Sequence, residues 1–228
     1  MKTSLRGLRV SKKKSLREEV YESLKKSILH GKLKAGQRLI EEQLADQIGI
    51  SRTPVREAFH KLERDDLVVR LPKGGFAVRE FSKEDVEEIF GIRSALESYA
   101  SYLATLHITS DKLSLLEKKI EESEKALDNG DDEKVIQLHT DFHDILYKSC
   151  KSKKLIEMID NFHDYFYGYR SALLQSSTGF KNSIADHRRI LEAMIKKNPR
   201  LVERLARNHL ERGKDLVLKE IKEGRIIP

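Results

Sequence analysis

The stretch GISRTPVREAF, Gly49 to Phe59, decides how the first third of the chain folds. Ser51 is a residue type that caps helices, and Pro54 then falls in the first turn of the helix that Ser51 starts. A backbone N–H at that point has no partner inside the helix, so a proline removes nothing and fixes the entry angle. The helix is expected to run to about Arg64. Upstream, IEEQLADQI reads as a second short helix, with Glu41 and Glu42 at the positive end of its dipole. Gly49 ends it by taking a left-handed conformation that other residues resist. Ala45 is small where two helices joined by so tight a turn must approach, and Val55, Phe59 and Leu62 supply the buried face of the second helix. This is the pattern of a helix-turn-helix.

At about 100° per residue, Arg52, Thr53, Arg56 and His60 fall on the side away from that buried face. An exposed face of this kind suits the major groove of DNA. Arg52 and Arg56 can donate to phosphate or pair with guanine, and the Ser51 hydroxyl at the helix start suits phosphate. Solvated surface helices carry arginines too, but the charge distribution favours DNA. Residues 1–80 hold 19 Lys and Arg against 11 Asp and Glu, whereas residues 81–228 hold 25 against 26. All of the basic excess therefore lies in the first third of a chain of 228 residues.

Around this motif the pattern continues. Leu16, Val20, Leu24 and Ile28 make one stripe on a helix from Ser15 to His30, stopped by Gly31. KLKAGQRL then reads as a linker. After the helix-turn-helix, Leu67, Val69 and Leu71 alternate, Lys73-Gly74-Gly75 turn, and Phe76 and Val78 alternate. That is a β-hairpin, and beside a helix-turn-helix it is a wing. Lys73, Gly74 and Gly75 at its tip let the backbone approach nucleic acid closely.

The remainder, residues 81–228, reads as six helices in an antiparallel bundle. Ser82 caps the first, whose stripe is Val86, Ile89, Phe90, Leu96, Ala100 and Leu103. The others cover about 111–129, 132–150, 154–175 and 182–197, with SSTG as a loop and Asn198-Pro199 starting the last. The fold expected is thus mainly α, with a winged helix-turn-helix domain at 1–80 and an all-α bundle at 81–228.

Histidines carry the chemistry of the bundle. His139 and His143 lie four apart on the face that carries Val135, Phe142 and Leu146. His187 lies between Ile184 and Leu191, and His209 follows Val202 and Leu205. Four imidazoles on three helices are therefore expected to face one core. Each could be a core histidine satisfied by a hydrogen bond. One divalent ion would satisfy all four together, and imidazole suits Zn, Ni, Cu or Co. His163 lies among aromatic residues and reads as structural, and His30, His60 and His107 show no ligand grouping. Arg93 sits among Ile89, Leu96 and Ala100, where a partly buried guanidinium can pair with Glu97 four residues on.

From Leu16 to Val78 the chain resembles the GntR family of bacterial transcription regulators, and SRTPVREA is the most specific part of that likeness. The resemblance implies a winged helix that binds pseudo-palindromic operators as a homodimer. It places DNA contacts at Ser51, Arg52, Thr53, Arg56 and the wing tip. IRSALE, FHDILY, DHRRILEAM and NHLERG resemble the FCD ligand-binding domain of the FadR-like branch, and six helices rather than seven point to its VanR-type subset. Such domains hold a divalent metal through an aspartate and three histidines. His143, His187 and His209 match the histidines, while His139 stands where the aspartate is expected. An all-imidazole set favours Ni or Zn, one ion per chain. In this family the position of Arg93 can hold the carboxylate of a small effector.

The expected function is a repressor that leaves its operator when a carboxylate effector binds at the metal site. Metal sensing, with the ion itself as signal, is the alternative. A zinc hydrolase is disfavoured because no HExxH-type base accompanies the histidines, so no enzyme is expected. Cys150 is the single cysteine, which excludes an internal disulfide and fits a reducing compartment. No apolar run is long enough for a bilayer, so a cytoplasmic location without membrane contact is expected.

Overall fold

Gly49 takes φ +76°, and the N–H of Ile50 reaches back to the Ala45 carbonyl at 3.0 Å, closing the first helix of the turn motif in a Schellman arrangement. The computed structural model describes residues 14–29, 31–80, 82–160, 162 and 177–223. His30, His163 and most of the fourth helix expected in the bundle lie outside them. The chain divides into two compact units, Met1–Glu80 and Phe81–Pro228.

In the first unit, α1 spans Leu16–Leu29, α2 Glu41–Ile48 and α3 Arg52–Arg64. Ala45, Val55, Phe59 and Leu62 are buried as their spacing requires. Helix α1 packs on α3 through Val20, Tyr21, Leu24 and Ile28. Leu16 is not part of that stripe: it is 49% exposed, because it opens the helix beyond the end of the contact. Tyr21 hydrogen-bonds Asp65, and Lys61 sits 3.7 Å over its ring.

The wing is a three-stranded antiparallel sheet in the order β1-β3-β2, formed by Arg38–Leu39, Phe76–Val78 and Val68–Arg70 respectively. Leu39 pairs with Phe76, and Val68 with Val78. Strand β1 lies within the segment read as a linker, since two residues show no periodicity. The expected alternation is also corrected. Val68 is buried and Val69 is 44% exposed. Leu67 is buried ahead of the strand, where Asp66 at φ +54° turns the chain and the Leu67 N–H bonds the Leu62 carbonyl, so parity is not carried through from Leu67.

In the second unit, α4 spans Lys83–His107, α5 Ser110–Asp128, α6 Asp132–Lys148, α8 Ser177–Ile195 and α9 Pro199–Lys222; residues 153–160 form the described part of α7. Ser82 and Asp85 form a reciprocal capping box at the start of α4. Asn198 caps α9 by accepting from the Leu201 N–H, with Pro199 in the first turn. The expected SSTG loop is instead helical from Ser177, because Phe180 is 1% exposed and anchors an extra first turn in the core. Helix α4 lies along α9, and α5 packs on α6 and α8. Leu116, Ile120, Leu138, Phe142, Leu146, Ile190 and Val202 fill the space between them. Among the described residues, no helix is long and apolar enough to cross a membrane.

The two tip glycines differ in what they tolerate. Both have positive φ, but only Gly75 would place a Cβ against a neighbour, 2.9 Å from the Leu39 carbonyl of β1. Gly74→Ala is expected to cost about 1 kcal/mol and Gly75→Ala about twice that or more, measured by denaturant unfolding. Equal costs would show that β1 is not held against the tip.

Candidate metal centre and nucleic-acid interface

Helix α3 presents Arg52, Thr53 and Arg56 to solvent while Val55, Ala58, Phe59 and Leu62 are buried. Ser51 occupies the N-cap position in extended geometry, but its hydroxyl accepts no capping hydrogen bond. The Arg52 guanidinium hydrogen-bonds Glu42 of α2. His60 is less exposed than Arg52, Thr53 and Arg56. It is half-buried, with its ring edge-on to Phe76 at 6.0 Å and its Nδ1 3.2 Å from Arg70 of the wing. Lys73 and Gly74 are exposed at the tip. Arg38, which the sequence did not single out, donates to the Gly74 carbonyl at 3.2 Å and so ties β1 to the tip.

In the bundle, α6 brings His139 and His143 to meet His187 of α8 and His209 of α9. One ligand atom from each lies within 4.8 Å of the others. His143 and His187 are buried, and their Nε2 atoms are 3.2 Å apart. The His187 ring stacks flat on Phe142, with centroids 4.0 Å apart, which fixes its plane. Asp141 takes no part. It accepts from Lys119 at 2.9 Å and Gln137 at 2.8 Å on another face of α6.

Two hydrogen-bonded chains back the cluster. Arg93 donates to Glu97 at 2.6 Å, Tyr147 donates to Glu97 at 2.5 Å, and Tyr147 lies 2.9 Å from His143 Nδ1. On the other side, Asp186 meets His209 Nδ1 at 3.2 Å and accepts from Arg212 Nε at 2.9 Å. Burial pushes the Asp186 carboxyl up, but the His209 and Arg212 hydrogen bonds outweigh it and hold the group below the usual carboxylate range. Glu97, Tyr147 and Asp186 escaped the sequence reading as parts of this site. Tyr147 could have been found, because it lies four residues after His143 on the same helical face. A cavity of about 330 Å³ opens beside the cluster, lined by His139, His143 and His209 together with Phe90, Arg93 and Leu210.

The donor set fits a transition metal. Four imidazoles converge from three helices; His209 is braced by the Asp186 carboxylate and His143 by the Tyr147 hydroxyl, which is itself bound to Glu97, and such partners are usual behind metal-bound imidazoles.

Residues 16–78 match the family described as bacterial regulatory proteins, gntR family, and residues 88–212 match the FCD domain. The HTH-type transcriptional regulator YdhC of Bacillus subtilis (strain 168) is 32% identical over 208 residues, covering 91% of this chain and 93% of the relative. The chain belongs to the GntR family. The HTH-type transcriptional repressor RspR of Escherichia coli (strain K12) is 25% identical to this GntR regulator over 194 residues, covering 85% of each chain. The structure of E. coli McbR/YncC superposes with a TM-score of 0.72 at 27% identity, covering 92% of the regulator and all of that chain. YdhC is named as an HTH-type transcriptional regulator and RspR as an HTH-type transcriptional repressor, and this chain is a DNA-binding transcriptional regulator of the GntR family.

Arg93 and Glu97 are almost fully buried as a pair, with side chains 9% and 3% exposed. Removing one partner leaves a charge without compensation. Arg93→Met is therefore expected to lower the unfolding free energy by roughly 3 kcal/mol, without any effector present. Unchanged denaturant stability would mean that the pair does not hold the bundle together.

Proposed function

We propose that this GntR regulator is a homodimeric repressor whose second unit holds one divalent ion, Zn or Ni, on His139, His143, His187 and His209, and that a small carboxylate effector binds beside it. The convergence of four imidazoles on one point carries the proposal. The charge balance supports an anionic effector. Glu97 is already matched by Arg93, and Asp186 by Arg212. Four neutral imidazoles add no charge, so the ion would supply a fixed double positive charge that a carboxylate can ligate. Arg93 lines the same cavity and is assigned to the effector's polar end, while Phe90 and Leu210 would cover its apolar part. The name of RspR agrees with repression.

The DNA reading assigns Ser51, Arg52, Thr53, Arg56, Lys73, Gly74 and Gly75 to a pseudo-palindromic operator, read by two copies through the two-fold symmetry usual for such modules. An effector that favours one arrangement of the dimer would shift half-site spacing and release DNA.

Arg52→Ala and Arg56→Ala are each expected to weaken operator binding by about 1–3 kcal/mol at fixed salt, with folding intact. Lys83→Ala, after the wing, should change it less. An Arg56→Ala protein that binds as tightly as the wild type would remove α3 as the reading helix.

For the metal, untagged protein is expected to hold one ion per chain by elemental analysis. His143→Ala and His187→Ala should abolish it, and His139→Ala should weaken it. Saturating Zn should raise the melting temperature and a chelator should lower it, since the folded state binds the ion. Occupancy should fall as pH drops below about 6, where protons compete for imidazole. Protein that stays metal-free after dialysis against Zn and Ni would leave four core histidines and no centre.

A further inference from the structure

We infer that Glu97, acting through Tyr147, and Asp186 are positioning residues that fix His143 and His209 in one tautomer, with Nδ1 protonated and Nε2 presented to the centre of the cluster. This rests on the metal reading for its purpose, but not for its geometry.

The assignment follows from counting hydrogens. A tyrosine hydroxyl has one. Tyr147 lies 2.5 Å from Glu97 Oε2 and 2.9 Å from His143 Nδ1. Glu97 receives two bonds from the guanidinium of Arg93, at 2.6 and 3.3 Å, which keeps it an ionised acceptor. A carboxylate cannot donate, so the tyrosine hydrogen goes to Glu97. The phenol oxygen is then left to accept, and His143 Nδ1 must supply the hydrogen. A neutral imidazole protonated at Nδ1 carries its lone pair on Nε2. That is the atom 3.2 Å from His187 Nε2, inside the cluster.

On the other side, Asp186 Oδ2 faces His209 Nδ1 at 3.2 Å and accepts from Arg212 at 2.9 Å, while Arg189 stands 3.5 Å from Oδ1. The ionised carboxylate again only accepts, so His209 donates from Nδ1 and its lone pair lies on Nε2. Each carboxylate is thus fixed by an arginine, and each fixes an imidazole. The first chain joins α4 to α6 and the second joins α8 to α9, so the ligand geometry depends on how four helices pack. Partners of this type orient the ring and raise its basicity, and losing one lowers metal affinity by about 10–100-fold.

The test uses full-length protein labelled with ¹⁵N at histidine. Long-range ¹H–¹⁵N correlation spectra of the metal-free wild type at a pH above imidazole titration report each tautomer directly. His143 and His209 are expected in the Nδ1–H form. Tyr147→Phe keeps the ring but removes the relay. It should return His143 toward the Nε2–H form that free histidine favours and leave His209 unchanged. Asp186→Ala should do the reverse, and Asp186→Asn, which keeps an acceptor oxygen, should restore the His209 tautomer. Zn affinity of Tyr147→Phe and Asp186→Ala should each fall by about 10–100-fold. Either histidine found as the Nε2–H form in the wild type overturns the inference, whatever the variants do. Tautomers that survive Tyr147→Phe and Asp186→Ala overturn it too. A wild type with the stated tautomers that binds no Zn contradicts the metal reading instead, and the two failures are told apart in one sample.

Discussion

A neutral imidazole buried among apolar side chains has two polar nitrogens, and leaving either without a partner costs free energy comparable to a lost hydrogen bond. His143 and His187 are buried at the centre of the bundle, with His139 and His209 closing round them. Two outer nitrogens are met by Tyr147 and Asp186. The inner ones face one another, where mutual hydrogen bonding among four rings is limited because each pair needs one donor and one acceptor. A shared cation would remove that limit. The polar chain through Glu97 and the Asp186–Arg212 pair are understandable as supports for that core. Without it, Arg93, Glu97, Asp186 and Tyr147 would be a costly set of groups to bury.

The same logic separates the two units. The first must meet a polyanion, so its basic excess stays on the surface, and its own core is small and closed by Phe59, Leu62 and Phe76. The second has balanced charge and puts its polar chemistry inside. Helix α4 begins five residues after β3 ends at Val78, and it carries both Arg93 and Glu97. The helix that follows the wing in sequence is also the one whose Glu97 reaches His143 through Tyr147.

Much of this was legible in the residues. Ser51, Pro54 and Gly49 announce the turn motif because caps, first-turn prolines and left-handed glycines act locally. The four histidines could be grouped because each lies on an apolar stripe with helical period. Strand β1 was not legible, since two residues paired with a distant strand have no local signal. Alternation counted from Leu67 does not carry past the turn at Asp66, so Val69 is exposed while Val68 is buried. SSTG looked like a loop from its composition, and burial of Phe180 overrode that. Asp186 was visible only as the neighbour of His187, yet it serves His209 on another helix. Such a pairing depends on packing, which no spacing within one helix can report.

The function proposed for the second unit rests on four imidazoles sharing one ion. X-ray absorption at the metal edge of stoichiometrically loaded Zn or Ni protein tests it most directly, because outer-shell scattering counts imidazole rings. The expected result is a nitrogen or oxygen first shell with the signature of four imidazoles, and no sulfur. A shell with two or fewer imidazoles, or one containing sulfur from Cys150, would contradict it and place the ion elsewhere.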